Sequence, residues 1–448
     1  MDLKEITTDV VSRAMKAGAS AAEAVVREGN EFSTVVRLGE VETLKESGAK
    51  VMGVRVFMGK RAASTYTSDF SSAGIEQLVN SAVSLAKITS EDEFGGIPDK
   101  SLLGSIDGDL DLYHKDVYSL STADRIEYAR RAEKAATSAD SRISNSEGGS
   151  FDAADGHKVL ANSNGFVGEY KRSYCSVSAV PVAKDENGNM QRDFWYSVAR
   201  SIKLLENPEE VGKIAAQRTL RRLGARKAKT SKVPVILDPQ VARALLESVA
   251  DAVNGDSVYR GASFLAGKLG QKIAGDNVTI VDDGTMRGGF GTSPFDSEGV
   301  PTRRTVVIEK GELKSYLLNT YTAKKLKLST TGNASRGLAG TPGIGVGNFF
   351  LQPGTRDPRQ ILADVPNGLY VTEFLGFGVN LVTGDYSRGA SGMWIENGEL
   401  TYPVEEITVA GNLKDILFNI SEIGNDLEFR GAVACPTLRI DGLTIAGE

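Results

Sequence analysis

The period of the hydrophobic pattern switches repeatedly along the chain, and this restricts the fold more than any other feature. Leu3, Ile6, Val10 and Ala14 recur every three to four residues, one stripe of a helix, and Gly18 stands where a C-cap would. The period then falls to two. Strands are expected over residues 22–27, 32–38, 51–57 and 62–67, and Val54 and Val56 flank Arg55 as on a half-buried strand. Helical spacing returns with Ile75, Leu78, Val79, Ala82, Val83 and Ala86, behind Ser71 or Ser72 as the cap. Helix, strands and helix make an α+β unit over residues 1–90.

The same grammar is repeated downstream. Residues 89–115, rich in Gly, Asp and Ser, read as a linker or long loop. Ser121 and Asp124 open a helix to about Ala136 with a capping box. Strands follow, and Asn187-Gly188 is the hairpin turn that joins residues 173–183 to 190–201. Asn207 as N-cap, Pro208 at N1 and Gly224 at the end mark the helix that closes a central unit, residues 116–224. The basic stretch 225–232 reads as a boundary. A third unit, residues 233–448, begins with a strand at 233–237 and a helix at 239–253. Many strands follow, with hairpins at Lys310-Gly311 and Asn397-Gly398 and a late helix near 412–420. The expected fold is α+β: a small N-terminal unit, a central mixed unit and a larger β-rich C-terminal domain.

Composition removes several functions. With 52 basic and 58 acidic residues the net charge is −6, which argues against broad nucleic-acid binding. Only Cys175 and Cys435 are present, so a disulfide framework is excluded and a reducing compartment is expected. Cys175 lies in an alternating strand pattern and reads as a packing thiol. His114 and His157 are the only histidines and neither stands in H-x-x-x-H or H-E-x-x-H, so they read as ordinary surface or turn residues. No apolar run approaches ~18 residues, and the N-terminus lacks an apolar signal core, so no membrane span and a cytoplasmic location are expected. No Walker loop occurs. The run from Gly340 to Gly347 fails G-x-G-x-x-G because Asn348 holds the third Gly position, and it reads as an irregular loop.

The helix at 239–253 carries the most chemical information. Leu245, Val249 and Ala252 form its apolar stripe, while Glu247 and Asp251 share a face at i, i+4. Two carboxylates alone make a weak hard-cation site, and a solvated face is the plainer reading.

This helix resembles the TldD/PmbA family, also called modulators of DNA gyrase or TldD/TldE proteases. So do Gly261-Ala-Ser-Phe-Leu-Ala-Gly-Lys-Leu-Gly270, Ser293-Pro-Phe-Asp-Ser-Glu-Gly-Val300, Thr383-Gly-Asp-Tyr-Ser-Arg-Gly-Ala-Ser-Gly392, and Glu406 to Asp415 with Gly424-Asn-Asp426. The runs are more similar to the PmbA (TldE) branch than to TldD. The family's metalloprotease branch carries H-E-x-x-x-H on this helix, with zinc held by the two His and a Cys near the C-terminus. In this sequence those positions are Leu246, Glu247 and Asp251, and Gly431-Ala-Val-Ala-Cys435 looks similar to the Cys segment. Leu246 offers no lone pair, so the resemblance implies a degenerate site, no metal and no catalytic residue in this chain, and zinc in a TldD-type partner.

The resemblance further implies a two-component protease, with a TldD-type catalytic subunit as heterodimer partner, acting on unfolded or modified peptides such as antibiotic precursor leaders and labile antitoxins. Phe295, Asp296, Gly384, Asp385, Tyr386 and Arg388 are the peptide-binding candidates, on Gly-rich loops and strand edges suited to β-augmentation. Two other readings stay open. One is an autonomous homodimeric peptidase using Asp251, Cys435 or another residue set. The other is a non-proteolytic binding or regulatory protein linked to gyrase or toxin–antitoxin physiology.

Overall fold

A computed structural model describes residues 2–447. Helix α1 (Leu3–Lys16) is capped by Asp2 and ends at Gly18, where φ is +96°. Strands β1 (Ala21–Arg37), β2 (Glu40–Met58) and β3 (Arg61–Thr67) form an antiparallel meander. Helix α2 (Ser72–Ile88) follows, capped by Ser71. Helix α3 (Thr122–Thr137) opens with the reciprocal bonds of Ser121 and Asp124. Strands β4 (Ile143–Asn162), β5 (Val167–Lys184), β6 (Met190–Arg192) and β7 (Trp195–Ala199) lead to α4 (Pro208–Leu220), capped by Asn207.

Strand β1 pairs with both β2 and β4, so the first two units share one seven-stranded sheet, ordered β3-β2-β1-β4-β5-β6 with β7 also on β5. The break expected between residues 27 and 32 is absent. Glu28-Gly29-Asn30-Glu31 interrupts the apolar alternation, yet it continues the strand. A Cβ on Gly29 would lie 2.3 Å from the Asp155 carbonyl oxygen, so Gly marks a close approach rather than a turn. The Asn30 N–H donates to the Asp155 carboxylate at 2.9 Å across the same gap. Residues 40–50 also extend β2 as an exposed ribbon that carries no hydrophobic alternation.

The two faces of this sheet have different partners. Ala22, Ala24 and Val26 pack under α1 and α2. Phe32 and Val36, of the same parity, share a core with Ala129 of α3. Val25, of opposite parity, instead packs with Leu160, Phe166 and Phe295, so this face meets the C-terminal domain.

In that domain a six-stranded sheet runs Glu399–Asn412, Asp385–Glu396, Asn367–Leu375, Ser231–Leu237, Leu438–Ala446 and Ile420–Ile423. Its first strand also pairs with its fifth, which closes a ring of five and leaves Ile420–Ile423 as an outer strand. A second sheet runs Glu312–Leu313, Arg304–Glu309, Ile280–Asp283, Asn348–Leu351 and Val433–Ala434. Both expected hairpins have positive φ at their two central residues, as tight primed turns require: 46° and 79° at Lys310-Gly311, 53° and 79° at Asn397-Gly398. Helix α5 (Pro239–Val253) shares one core with residues of both sheets. Among the described residues no helix is long and apolar enough to cross a membrane.

A buried ion triad fastens the first sheet to this domain. Glu23 has no exposed surface and pairs across β1–β2 with the Arg55 guanidinium, 3.1 Å from its Nε. The same carboxylate receives Arg336 from the C-terminal domain. Removing one member leaves a buried charge uncompensated, so Glu23→Gln is expected to lower stability by ~3–5 kcal/mol, read from urea midpoints.

Candidate functional site

Asp238 caps α5 by accepting from Gln240 N–H at 3.0 Å, and Pro239 fills N1. The sequence places Arg243, Glu247 and Asp251 at i, i+4 spacing on the side of α5 away from its apolar stripe. Arg243 Nε lies 3.5 Å from the Glu247 carboxylate. Glu247 and Asp251 line a cavity of about 230 Å³ with Leu317, Ile344 and Val346. Partial burial raises the Asp251 pKa. Leu246 points the other way: it is 4% exposed and belongs to the main hydrophobic core.

Cys435 lies at the other end of the helix. It lines a separate cavity of about 180 Å³ with Asp238, Arg243, Asp426 and Arg430. Its thiol is buried, and burial, then the Asp426 carboxylate, pushes its pKa far up, so the neutral thiol dominates. The four degenerate-site positions therefore do not converge. Among the described residues no group of three or more His, Cys, Asp or Glu side chains is placed to hold a metal. His114 and His157 instead face Asp111 and Glu169. Cys175 is a packing thiol in a core cluster.

A concavity of about 530 Å³ lies in the cleft between the first sheet and the C-terminal domain. Arg27, Lys158 and Arg172 project from β1, β4 and β5. Asp282, Asp296 and Arg336 face them from the C-terminal domain, and the loop expected at 340–347 supplies part of the wall. Phe295 is a fully buried wall residue, edge-to-face with Phe166 and Tyr170 at 5.1 and 5.4 Å. Asp296 ties its own loop to a distant segment: Oδ1 accepts from the N–H groups of Glu298 and Val300 at 2.8 and 3.1 Å, and Oδ2 from Ala334 N–H at 3.0 Å. Burial, reinforced by Glu298, raises its pKa.

Gly384, Asp385, Tyr386 and Arg388 lie elsewhere, around the start of Asp385–Glu396 in the six-stranded sheet. Gly384 has φ +87°. Asp385 accepts from Thr383 Oγ1 at 2.6 Å, buried Tyr386 packs edge-to-face on Phe374, and Arg388 donates to the Gly376 carbonyl at 3.0 Å. The cleft residues Arg27, Lys158, Arg172 and Arg336 were not legible as a site. They lie on separate strands and a distant loop, and the only signal was their period-two parity with Val25, Leu160 and Tyr170.

Three family models, described as PmbA/TldA metallopeptidase first, central and C-terminal domains, match residues 22–86, 115–223 and 230–447. The metalloprotease PmbA of Escherichia coli O157:H7 is 40% identical over 448 residues, covering 99% of this chain and 97% of its own. The chain belongs to the PmbA/TldD metallopeptidase family. The PmbA homologue of Haemophilus influenzae is 37% identical, over 100% of this chain and 96% of its own. Crystal structures agree with the fold. A putative modulator of DNA gyrase from Bacteroides thetaiotaomicron superposes with a TM-score of 0.93 at 28% identity, covering 99% of each chain. TldE from Thermococcus kodakarensis gives 0.87 at 22% identity, over 99% of this chain and 100% of that one.

One PmbA/TldD cleft residue reports on pH. Asp282 accepts from Asn333 Nδ2 at 2.8 Å and from Gly347 N–H at 2.7 Å, yet burial pushes its pKa up to about 6. The folded state then holds the proton more tightly than the unfolded one. That stability is present below about pH 4 and is lost as pH rises through about 6. Asp282→Asn is expected to abolish this loss, on the order of 2–3 kcal/mol, in urea midpoints measured across that window.

Proposed function

We propose that this chain is the PmbA/TldE-type subunit of a TldD/TldE-type metalloprotease acting on unfolded or modified peptides, and that it has no zinc site of its own. The observation that carries the reading is the burial of Leu246 in the core of α5's apolar side. A three-ligand zinc site needs nitrogen, sulfur or carboxylate donors converging with one position open to water. Here hydrocarbon stands at one position, and Asp251 and the protonated Cys435 line different cavities. The donor set does not fit the ion. Glu247, ion-paired with Arg243, has no metal-bound water to act on.

On this reading the zinc and the bond-breaking step belong to a TldD-type partner, and this chain contributes peptide-binding surface. Metal content and cleavage of an unfolded casein substrate, measured for the solitary chain and for its mixture with a TldD-type subunit, test it. The solitary chain is expected to hold no stoichiometric zinc and to cleave nothing, and the mixture to cleave. Stoichiometric zinc in the solitary chain contradicts the reading.

Two regions are candidates for peptide: the cleft, whose wall is shaped by buried Phe295 and Asp296, and the start of Asp385–Glu396 with Gly384, Tyr386 and Arg388, where backbone pairing with residues 378–380 and 409–412 leaves no free edge and contact would be through side chains. Hydrogen exchange with bound peptide is expected to show protection within residues 285–300 or 376–392. Unchanged exchange in both removes these candidates.

A further inference from the structure

The chain is net acidic, yet the cleft is lined by five cations: Arg27, Lys158, Arg172, Arg303 and Arg336. Arg336 shares the single Glu23 carboxylate with Arg55. Among the described residues, no carboxylate comes within 4.0 Å of the other four cationic groups. The acids nearby are committed elsewhere. Asp296 is ringed by three backbone N–H groups, Asp282 is held by Asn333 and Gly347, and Glu28 faces Lys50 at 3.9 Å.

The sheet register concentrates these charges. Arg27 and Lys158 are cross-strand partners on β1 and β4. Lys158 is opposite Tyr170, and Arg172 is opposite Gly156, on β4 and β5. Arg27 spends one donor on the Arg336 carbonyl at 2.6 Å, and Lys158 donates to Ser297 Oγ at 3.2 Å. Arg172 and Arg303 make no side-chain hydrogen bond among the described residues. Crowding has a consequence at Lys158: burial first, then Arg27, with Arg336 and Arg172 adding to it, pushes its pKa down to about 7, while Asp296 opposes the change. Cations held together without a counter-ion disfavour the empty cleft and favour an anion within it.

We propose that the cleft binds the carboxylates of an acidic peptide segment, with exposed Arg172 and Arg303 as first contacts and Arg27 and Lys158 behind them. The guanidinium fork matches carboxylate geometry in two parallel bonds, and the cleft volume lies in the range of ligand pockets. The choice of a peptide as the carrier rests on the function proposed above.

Calorimetric titration of the solitary chain, free of partner and metal, tests this with tetraglutamate, tetraglutamine and pyrophosphate. Tetraglutamate is expected to bind at least about tenfold more tightly than tetraglutamine, and its affinity to fall steeply from ~50 to ~500 mM salt. Arg172→Gln with Arg303→Gln is expected to weaken tetraglutamate by about tenfold or more with an unchanged thermal midpoint, since neither side chain has a partner to lose. The salt series on the unsubstituted chain tests the same charge dependence without any substitution. C-terminal amidation assigns the carboxylate source: lost affinity points to the chain terminus, and retained affinity to the glutamate side chains. Equal binding of the two peptides, tighter binding of pyrophosphate than of tetraglutamate, or indifference to the double substitution overturns the proposal. Zinc in the solitary chain would instead contradict the subunit reading and leave this binding result standing.

Discussion

A carboxylate with no exposed surface, held between two guanidinium groups from different parts of the chain, organises this molecule. Glu23 meets Arg55 across one strand pair and Arg336 across the domain boundary. Such a group is tolerated in the interior only while its partners stay in place. The approach is tight on every side. Arg27 donates to the Arg336 carbonyl, the Arg336 N–H to Ser297 Oγ, and the Ser297 N–H to the Ala334 carbonyl. Nearby, a Cβ on Gly53 would fall 1.9 Å from the Leu338 carbonyl oxygen, so only glycine permits that contact. The segment from Gly332 to Leu338 is thus pinned to the first sheet, and with Phe295 and Asp296 it forms the wall of the cleft.

The cleft and the α5 cavity are neighbours through one shared wall. Gly345 and Val346 line both, with the cleft on one side and Asp251 and Glu247 on the other. Asp282 holds this wall in place through the Gly347 N–H, and Asn333 bonds both Asp282 and the Gly345 carbonyl. A change in the charge of Asp282 therefore acts on a segment that faces both cavities. Gly345 and Val346 are thus contacts common to the cationic cleft and to the cavity beside α5.

Local chemistry was legible in the sequence where it is enforced by neighbours in the chain. The caps at Ser71, Ser121 and Asn207, Pro208 at N1, the stripe of α5 and the three primed or glycine turns depend on contacts within a few residues. The long strands were not legible. Gly29 and Asn30 look like a turn because the feature that holds them extended, Asp155 at the middle of β4, lies 125 residues away. The cleft cations were hidden for the same reason. Arg27, Lys158 and Arg172 look like solvated charges on alternating strands until the sheet sets them on one face against the C-terminal domain. Asp296 shows the converse. It stands in a motif that carries the family resemblance, but its oxygens are used by its own loop and by Ala334 of the segment packed on it.

The two sides of α5 obey different constraints. On one side Leu246 contributes burial of the kind worth ~1.5–3 kcal/mol for a large aliphatic side chain. An imidazole in that core would have to find partners for both ring nitrogens or be desolvated without them. Leucine at this position therefore aligns the helix with packing and against coordination. On the other side, the Arg243–Glu247 contact is half-exposed and of the class worth only ~0.3–0.5 kcal/mol. Stability places almost no demand on that face. The residues free to vary without harm to the fold are those at Glu247 and Asp251, while Leu246 is held by the core. On the proposed reading, coordination here would require repacking the core around position 246, bringing Cys435 into the Asp251 cavity and lowering the pKa of its thiol. A single substitution on α5 supplies none of these in combination.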